Sequence, residues 1–180
     1  VMVNFSTTHF VEVIPAFEII SGSDNGKFYI PYTSGGGKWK LVDPRAEIQQ
    51  LDASDSITGG NTRNLARMIK KWQQNCNVEI KSLVIELRAI NFLKKYQYAT
   101  KTSVYYDWMV RDFFKELIEF VGGNCKLPGT DEVVEYGESW KSKAETAYAR
   151  AIKACEFESK KDYYSATLEW KKIFGDEYYF

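Results

Sequence analysis

The run Phe10-Val11-Glu12-Val13-Ile14-Pro15-Ala16-Phe17 sets one carboxylate, Glu12, among apolar neighbours on a stretch that reads as a β-strand closed by a proline. Period-two geometry puts Phe10, Glu12 and Ile14 on one face and Val11 and Val13 on the other, so Glu12 is expected where a core residue would stand. An unpaired carboxylate in such a place is costly to desolvate, which favours a metal ion, a cationic partner or water at the open end of the strand. The plain alternative is an edge strand whose glutamate faces solvent, and that is the commoner state for the residue type. Thiol and imidazole chemistry has less to work with. Cys76, Cys125 and Cys155 are widely spaced, with no CxxC or Cys/His pattern, and His9 is the single histidine. That set fits reduced, cytoplasmic thiols better than a disulfide frame or a zinc site.

Lys70, beside Lys71, is an ammonium on a helix, and Ser82 stands where the next helix begins, as a plausible N-cap. Taken alone, Lys70 reads as a solvated helix lysine and Ser82 as an ordinary cap.

The elements that must position these groups divide near Asp43-Pro44. Residues 1–44 read as a small sheet. Val1, Val3 and Phe5 alternate, the Glu12 strand follows, and Phe17 to Ile20 precedes the turn Ser21-Gly22-Ser23-Asp24-Asn25-Gly26. Lys27-Phe28-Tyr29-Ile30-Pro31 then completes a hairpin, and a loop from Thr33 to Gly37 leads into Trp39 to Val42. Residues 45–180 read as a helical lobe. Its stripes are Leu65, Met68, Ile69 and Trp72, entered from the turn Thr58-Gly59-Gly60-Asn61; Leu83, Leu87 and Ile90; Tyr105, Met109, Phe113, Leu117 and Phe120, ending at Gly122-Gly123; Trp140, Ala144, Ala147, Ala151 and Ala154; and Tyr163, Ala166, Trp170 and Ile173. The alanines permit a close helix–helix approach. Lys126 to Gly137 reads as the main loop, Glu86 as a buried polar link between sheet and lobe, and Trp72, Trp140 and Trp170 as core.

The 180 residues balance 24 Lys and Arg against 24 Asp and Glu, so no global basic field attracts nucleic acid. The candidate basic patch, Lys70, Lys71, Lys94 and Lys95 near Tyr96 and Tyr98, reads as a solvated helix surface, and nucleic acid is not an expected partner. A hydrophobic fraction of 44% is that of a folded globule. With no run of about 18 apolar residues and no signal-peptide pattern, no membrane association is expected and the cytoplasm is the expected location.

The order Glu12-Val13-Ile14-Pro15-Ala16-Phe17, Tyr29-Ile30-Pro31, Trp39 to Val42 with Asp43-Pro44, Leu65 to Trp72 with Lys70-Lys71-Trp72, Lys81-Ser82-Leu83-Val84-Ile85-Glu86-Leu87, Ala166 to Trp170 and Ile173-Phe174-Gly175 resembles the later part of bacterial cyclic-oligonucleotide synthases. These are relatives of oligoadenylate synthetase and cyclic GMP-AMP synthase that act in antiphage signalling. The resemblance implies an α+β fold, a partial polymerase-β-like nucleotidyltransferase sheet followed by a helical lobe, with the nucleotide in the cleft between them. It implies a nucleotidyltransferase that makes cyclic or linear oligonucleotide second messengers from nucleoside triphosphates. The cofactor would be Mg²⁺ or Mn²⁺, held by three carboxylates that polarise the α-phosphate.

In that pattern Glu12 falls at the third metal-binding, catalytic carboxylate, a position more often Asp. Lys70 and Ser82 fall on the two triphosphate contacts. Two family features, a phosphate-gripping Gly-Ser turn and an Asp-x-Asp pair ahead of the Glu12 strand, are not in these 180 residues; Gly22-Ser23 lies after it. The expectation is therefore a fragment of a longer enzyme, inactive alone and completed by a missing N-terminal segment. A split protein with a second chain and a degenerate relative kept for binding are the alternatives. A reading from another class is a non-catalytic helical interaction module that docks through its aromatic tail, Tyr178-Tyr179-Phe180.

Overall fold

The computed structural model describes residues 2–4, 10–33 and 37–178. Val1, Phe5, His9, the middle of the glycine loop from Ser34 to Gly36, and the terminal Tyr179 and Phe180 lie outside the described residues. The fold is α+β, with short strands and six α-helices among the described residues. The chain divides into two compact units. One comprises residues 1–50 with 126–132; the other comprises residues 51–125 with 133–180.

The first unit holds β1 (Met2–Asn4) and β2 (Phe10–Glu12), paired antiparallel with Val3 opposite Val11 and Met2 opposite Glu12. It also holds β3 (Phe17–Glu18), β4 (Phe28–Tyr32) and β5 (Lys38–Val42), an antiparallel sheet in that order with Tyr29 opposite both Phe17 and Leu41. The expected hairpin thus forms, closed by Ile19 N–H on the Lys27 carbonyl at 2.9 Å and Gly26 N–H on the Ile19 carbonyl at 2.7 Å. The single sheet expected of residues 1–44 is instead two separate ones. The physical reason is Pro15: it fixes φ and removes a donor, and regular pairing stops at Glu12, leaving Val13 and Ile14 outside the strand.

α1 (Pro44–Ile57) starts with the proline in its first turn, and the Asp43 carboxylate accepts from Ala46 N–H at 3.0 Å as a cap. It gave no clear stripe in sequence, and the structure explains why: the helix has no buried residue. Gly129, at φ +75°, passes so close to the Asp43 side chain that any Cβ there would collide with it.

The second unit carries the core. Among the described residues every buried apolar side chain belongs to it except Leu127. α2 (Asn61–Asn75) buries Leu65, Ala66, Ile69 and Trp72 at helical spacing. α3 (Ser82–Leu93) is buried nearly all round. After a 3-10 turn (Ser103–Tyr105), α4 (Tyr106–Glu119) buries Met109, Val110, Phe113, Phe114 and Leu117 and ends one turn before the expected glycines. The expected loop from Lys126 to Gly137 is bordered and interrupted by β6 (Asn124–Lys126) and β7 (Val133–Glu135), which pair. α5 (Lys141–Ser159) lies against both α4 and α6 (Tyr163–Phe174), and α2 contacts α3, α4 and α6.

Trp72, Trp140 and Trp170 are core residues, as read from sequence, each about 1% exposed or less. Inside the bundle Arg88 of α3 pairs with Glu116 of α4, and its guanidinium lies 3.4 Å from the centre of the Phe120 ring. No helix among the described residues is long and apolar enough to cross a membrane.

The buried ridge of α5 is Ala144, Ala147, Ala151, Ala154 and Cys155, and Ala151 has no exposed surface. Ala151→Leu should therefore lower stability by about 1–3 kcal/mol through overpacking. A urea unfolding midpoint is the measurement, and an unchanged midpoint would mean that α4 and α6 do not close on this residue.

Candidate functional site

Lys70 and Ser82 meet on one seam of the helical unit. α2 and α3 are joined by a short connection, and Gln73, one turn after Lys70, stitches it: its side-chain amide donates to the Ile80 carbonyl, and its Oε1 accepts from the Ser82 hydroxyl at 3.3 Å. One turn further along α3 from Ser82, Glu86 pairs with the Lys70 ammonium. Lys70–Glu86 and Gln73–Ser82 are thus two adjacent links between the same two helices. Sequence reasoning missed Gln73, although its spacing of three from Lys70 puts both on one helix face.

The seam is open to solvent. The Lys70 side chain is 36% exposed and that of Glu86 28%, so the pair is accessible rather than sealed. Glu86 was expected as a buried link between sheet and lobe; it is instead partly exposed and joins two helices of the same unit. Ser82 was expected to cap α3. Lys81 holds the N-cap position with extended backbone, φ −67° and ψ 132°, and makes no side-chain capping bond. The first turn of α3 also carries no acidic residue, so its dipole and leading N–H groups are not answered by a carboxylate there. The Ser82 hydroxyl, one position inside the helix, turns sideways to Gln73 and not back along the axis.

Glu12 takes the solvent-facing of its two expected states and not the core-facing one. It ends β2 in the β1–β2 ribbon and is exposed, as are Val11, Val13 and Ile14, each about half exposed. A two-stranded ribbon has no third layer to bury one face, so alternation of residue types does not become burial. Among the described residues one set of three thiol or carboxylate donors gathers within 4.8 Å, Asp107, Cys155 and Glu158, and Glu12 is not in it. A lone exposed carboxylate does not fit Mg²⁺, which needs several oxygen ligands in near-octahedral array, and the thiol of the other set is a poor ligand for so hard an ion.

The remaining candidates are occupied by ordinary contacts. Lys71 pairs with Glu177 at 2.9 Å, Lys95 approaches Glu116 at 3.6 Å, and the Tyr96 hydroxyl donates to Asp112 at 3.1 Å. Tyr178, expected as part of an exposed tail, is half-buried and stacks on Phe174 with ring centres 5.7 Å apart.

No protein-family model matches the chain. Over 176 residues, 93% of its length, it is 27% identical to a probable cyclic nucleotide synthase of Bacillus cereus (strain VD146). The chain spans about half the length of that curated relative, 51%.

Because the Lys70–Glu86 pair is solvent-accessible, its loss should cost little. Lys70→Met is expected to stay within about 1 kcal/mol of the wild-type stability in chemical denaturation. A larger drop would make Lys70 a structural residue and remove it from the candidate site.

Proposed function

We propose that the chain is part of a nucleotidyltransferase that builds cyclic or linear oligonucleotide second messengers from nucleoside triphosphates in antiphage signalling, and that its α2–α3 seam holds the triphosphate. One observation carries this reading: Lys70 and Ser82 lie on adjacent links of the same open seam, at a helix start that no side chain caps. The similarity to the Bacillus cereus protein supports the nucleotide-synthesis part of the reading.

The chemistry assigned to these side chains is binding and orientation. Glu86 holds the Lys70 ammonium along the seam when no phosphate is present, and a triphosphate, carrying several negative charges, outcompetes a single carboxylate for it. The Ser82 hydroxyl exchanges Gln73 for a phosphate oxygen by rotation about one bond, while the leading N–H groups of α3 face the same charge. Gln73 keeps the connection in place through the Ile80 carbonyl during that exchange.

Mg²⁺ or Mn²⁺ would neutralise phosphate charge and activate the attacking hydroxyl in such an enzyme. Glu12 is the carboxylate this chain offers for it, and one carboxylate is not enough. On this reading the isolated chain binds nucleoside triphosphates without releasing pyrophosphate, and a second chain or further segment supplies the other ligands.

The test is thermal unfolding with ATP and with GTP. Saturating nucleotide should raise the Tm of the wild-type chain by about 3–8 °C. Lys70→Ala should remove the rise, and Ser82→Ala should reduce it. A wild-type Tm indifferent to both nucleotides would overturn the triphosphate site and return the chain to the class of helical interaction modules.

A further inference from the structure

A second polar cluster lies inside the helical unit, away from Lys70 and Ser82 in sequence. Asp107 comes from the first turn of α4, and Cys155 and Glu158 from the last turn and a half of α5; one donor atom of each lies within 4.8 Å of the other two. Glu158 also accepts from the indole N–H of Trp170 on α6 at 2.7 Å. Three helices therefore converge on one carboxyl group. Asp107 Oδ1 is fully buried and has no hydrogen-bond partner among the protein's donors. Two ionised carboxylates this close, one with an orphaned buried oxygen, would repel in a medium that screens them poorly.

We propose that Glu158 carries a proton that it donates to the orphaned carboxyl oxygen of Asp107, and that this bond is a pH-sensitive clasp tying α4 to the α5–α6 pair. The proton gives Asp107 Oδ1 its missing partner and leaves one negative charge where there would be two. When Glu158 releases the proton to water, its hydrogen bond to Asp107 is lost and its new charge faces the Asp107 side chain. A cavity of about 300 Å³, lined by Asp107, Cys155 and Glu158 together with Tyr105 and Trp108, gives water its path to them.

The surroundings agree. Glu158 is pushed up from an ordinary value of 4.5 to about 7, first by burial, with Asp107 raising it further against the Trp170 bond that lowers it. Arg111 of α4, whose charge acts on Cys155, is engaged by Asp112 at 2.7 Å. The Cys155 thiol and the Tyr178 hydroxyl are each pushed up to about 12 by burial, so neither ionises near neutrality. The proton in question is that of Glu158.

The direction of the pH effect follows. A group whose folded value is raised contributes stability that is complete below its ordinary value and is lost as the pH climbs through the folded value. The chain should therefore loosen as pH rises through about 7. The same helix, α6, braces the C-terminal end of α2 through Asn75, whose side-chain amide donates to the Ile173 carbonyl at 3.1 Å.

The experiment is thermal unfolding of the full chain between about pH 6 and about pH 8.5, in EDTA, for the wild type and for Glu158→Gln, whose amide keeps the Trp170 acceptor and offers Asp107 a permanent N–H. The wild-type Tm should fall by about 5 °C over that range, and the variant should lose most of that fall. Infrared spectra of the wild type supply a readout that needs no variant: a protonated carboxyl band present at the lower pH and absent at the higher. A wild-type Tm that does not fall, a variant that falls equally, no carboxyl band at low pH, or a wild-type Tm lowered by EDTA itself would each overturn the proposal.

Discussion

The closeness with which α4 and α6 approach α5 is the constraint on which the helical unit rests. α5 meets them with alanine at positions 144, 147, 151 and 154, side chains that lose almost no rotamer freedom on burial and hold the neighbouring backbones close. The large residues then fill the spaces around that ridge: Trp140 at its start, Phe113 and Phe114 from α4, Trp170 and Ile173 from α6. Continuing one turn past Ala154, the same ridge reaches Cys155 and Glu158, so a carboxyl group is drawn into a place that packing has made partly dry. Its altered proton affinity is a consequence of the alanines as much as of Asp107.

Desolvation also separates the two charged pairs on α3. Arg88 and Glu116 are buried, and removing either partner would strand a charge, so the pair is a fixed strut between α3 and α4. Lys70 and Glu86 make the same kind of contact at the surface, where water compensates for its loss. Only the second pair can be exchanged for an incoming anion at small cost. That difference, and not the residue types, is what supports Lys70 over Arg88 in the proposed triphosphate site.

Much of the fold was legible because it is written in local periodicity. Leu65, Ile69 and Trp72 recur at helical spacing and are buried; the α5 alanines likewise; and the Ser21 to Gly26 turn closes the hairpin into β4. Where the reading went astray, the missing information was a layer or a partner far away in sequence. Alternation offered Glu12 a core-facing place beside the commoner solvent-facing one, and in a ribbon of two short strands both Val11 and Glu12, on opposite faces, are exposed. Ser82 was taken for a cap, yet the backbone turns into the helix at Lys81 and the hydroxyl is claimed by Gln73. Glu86 was assigned to a contact with the sheet, and its partner is Lys70. α1 escaped notice because a helix that buries nothing needs no stripe.

The sequence by itself determined the helices that carry an apolar stripe and the tryptophans that go inside, since spacing along the chain carries both; Lys70 and Ser82 stood out only through the family resemblance. Only the tertiary structure decided that those two stand on one seam, that Glu12 is exposed, and that Asp107, Cys155 and Glu158 meet. The physical reason is distance along the chain. A hydrophobic repeat is set within a few turns, whereas the burial and pairing of a charge depend on surfaces contributed by helices dozens of residues apart, and these exist only once the bundle has closed.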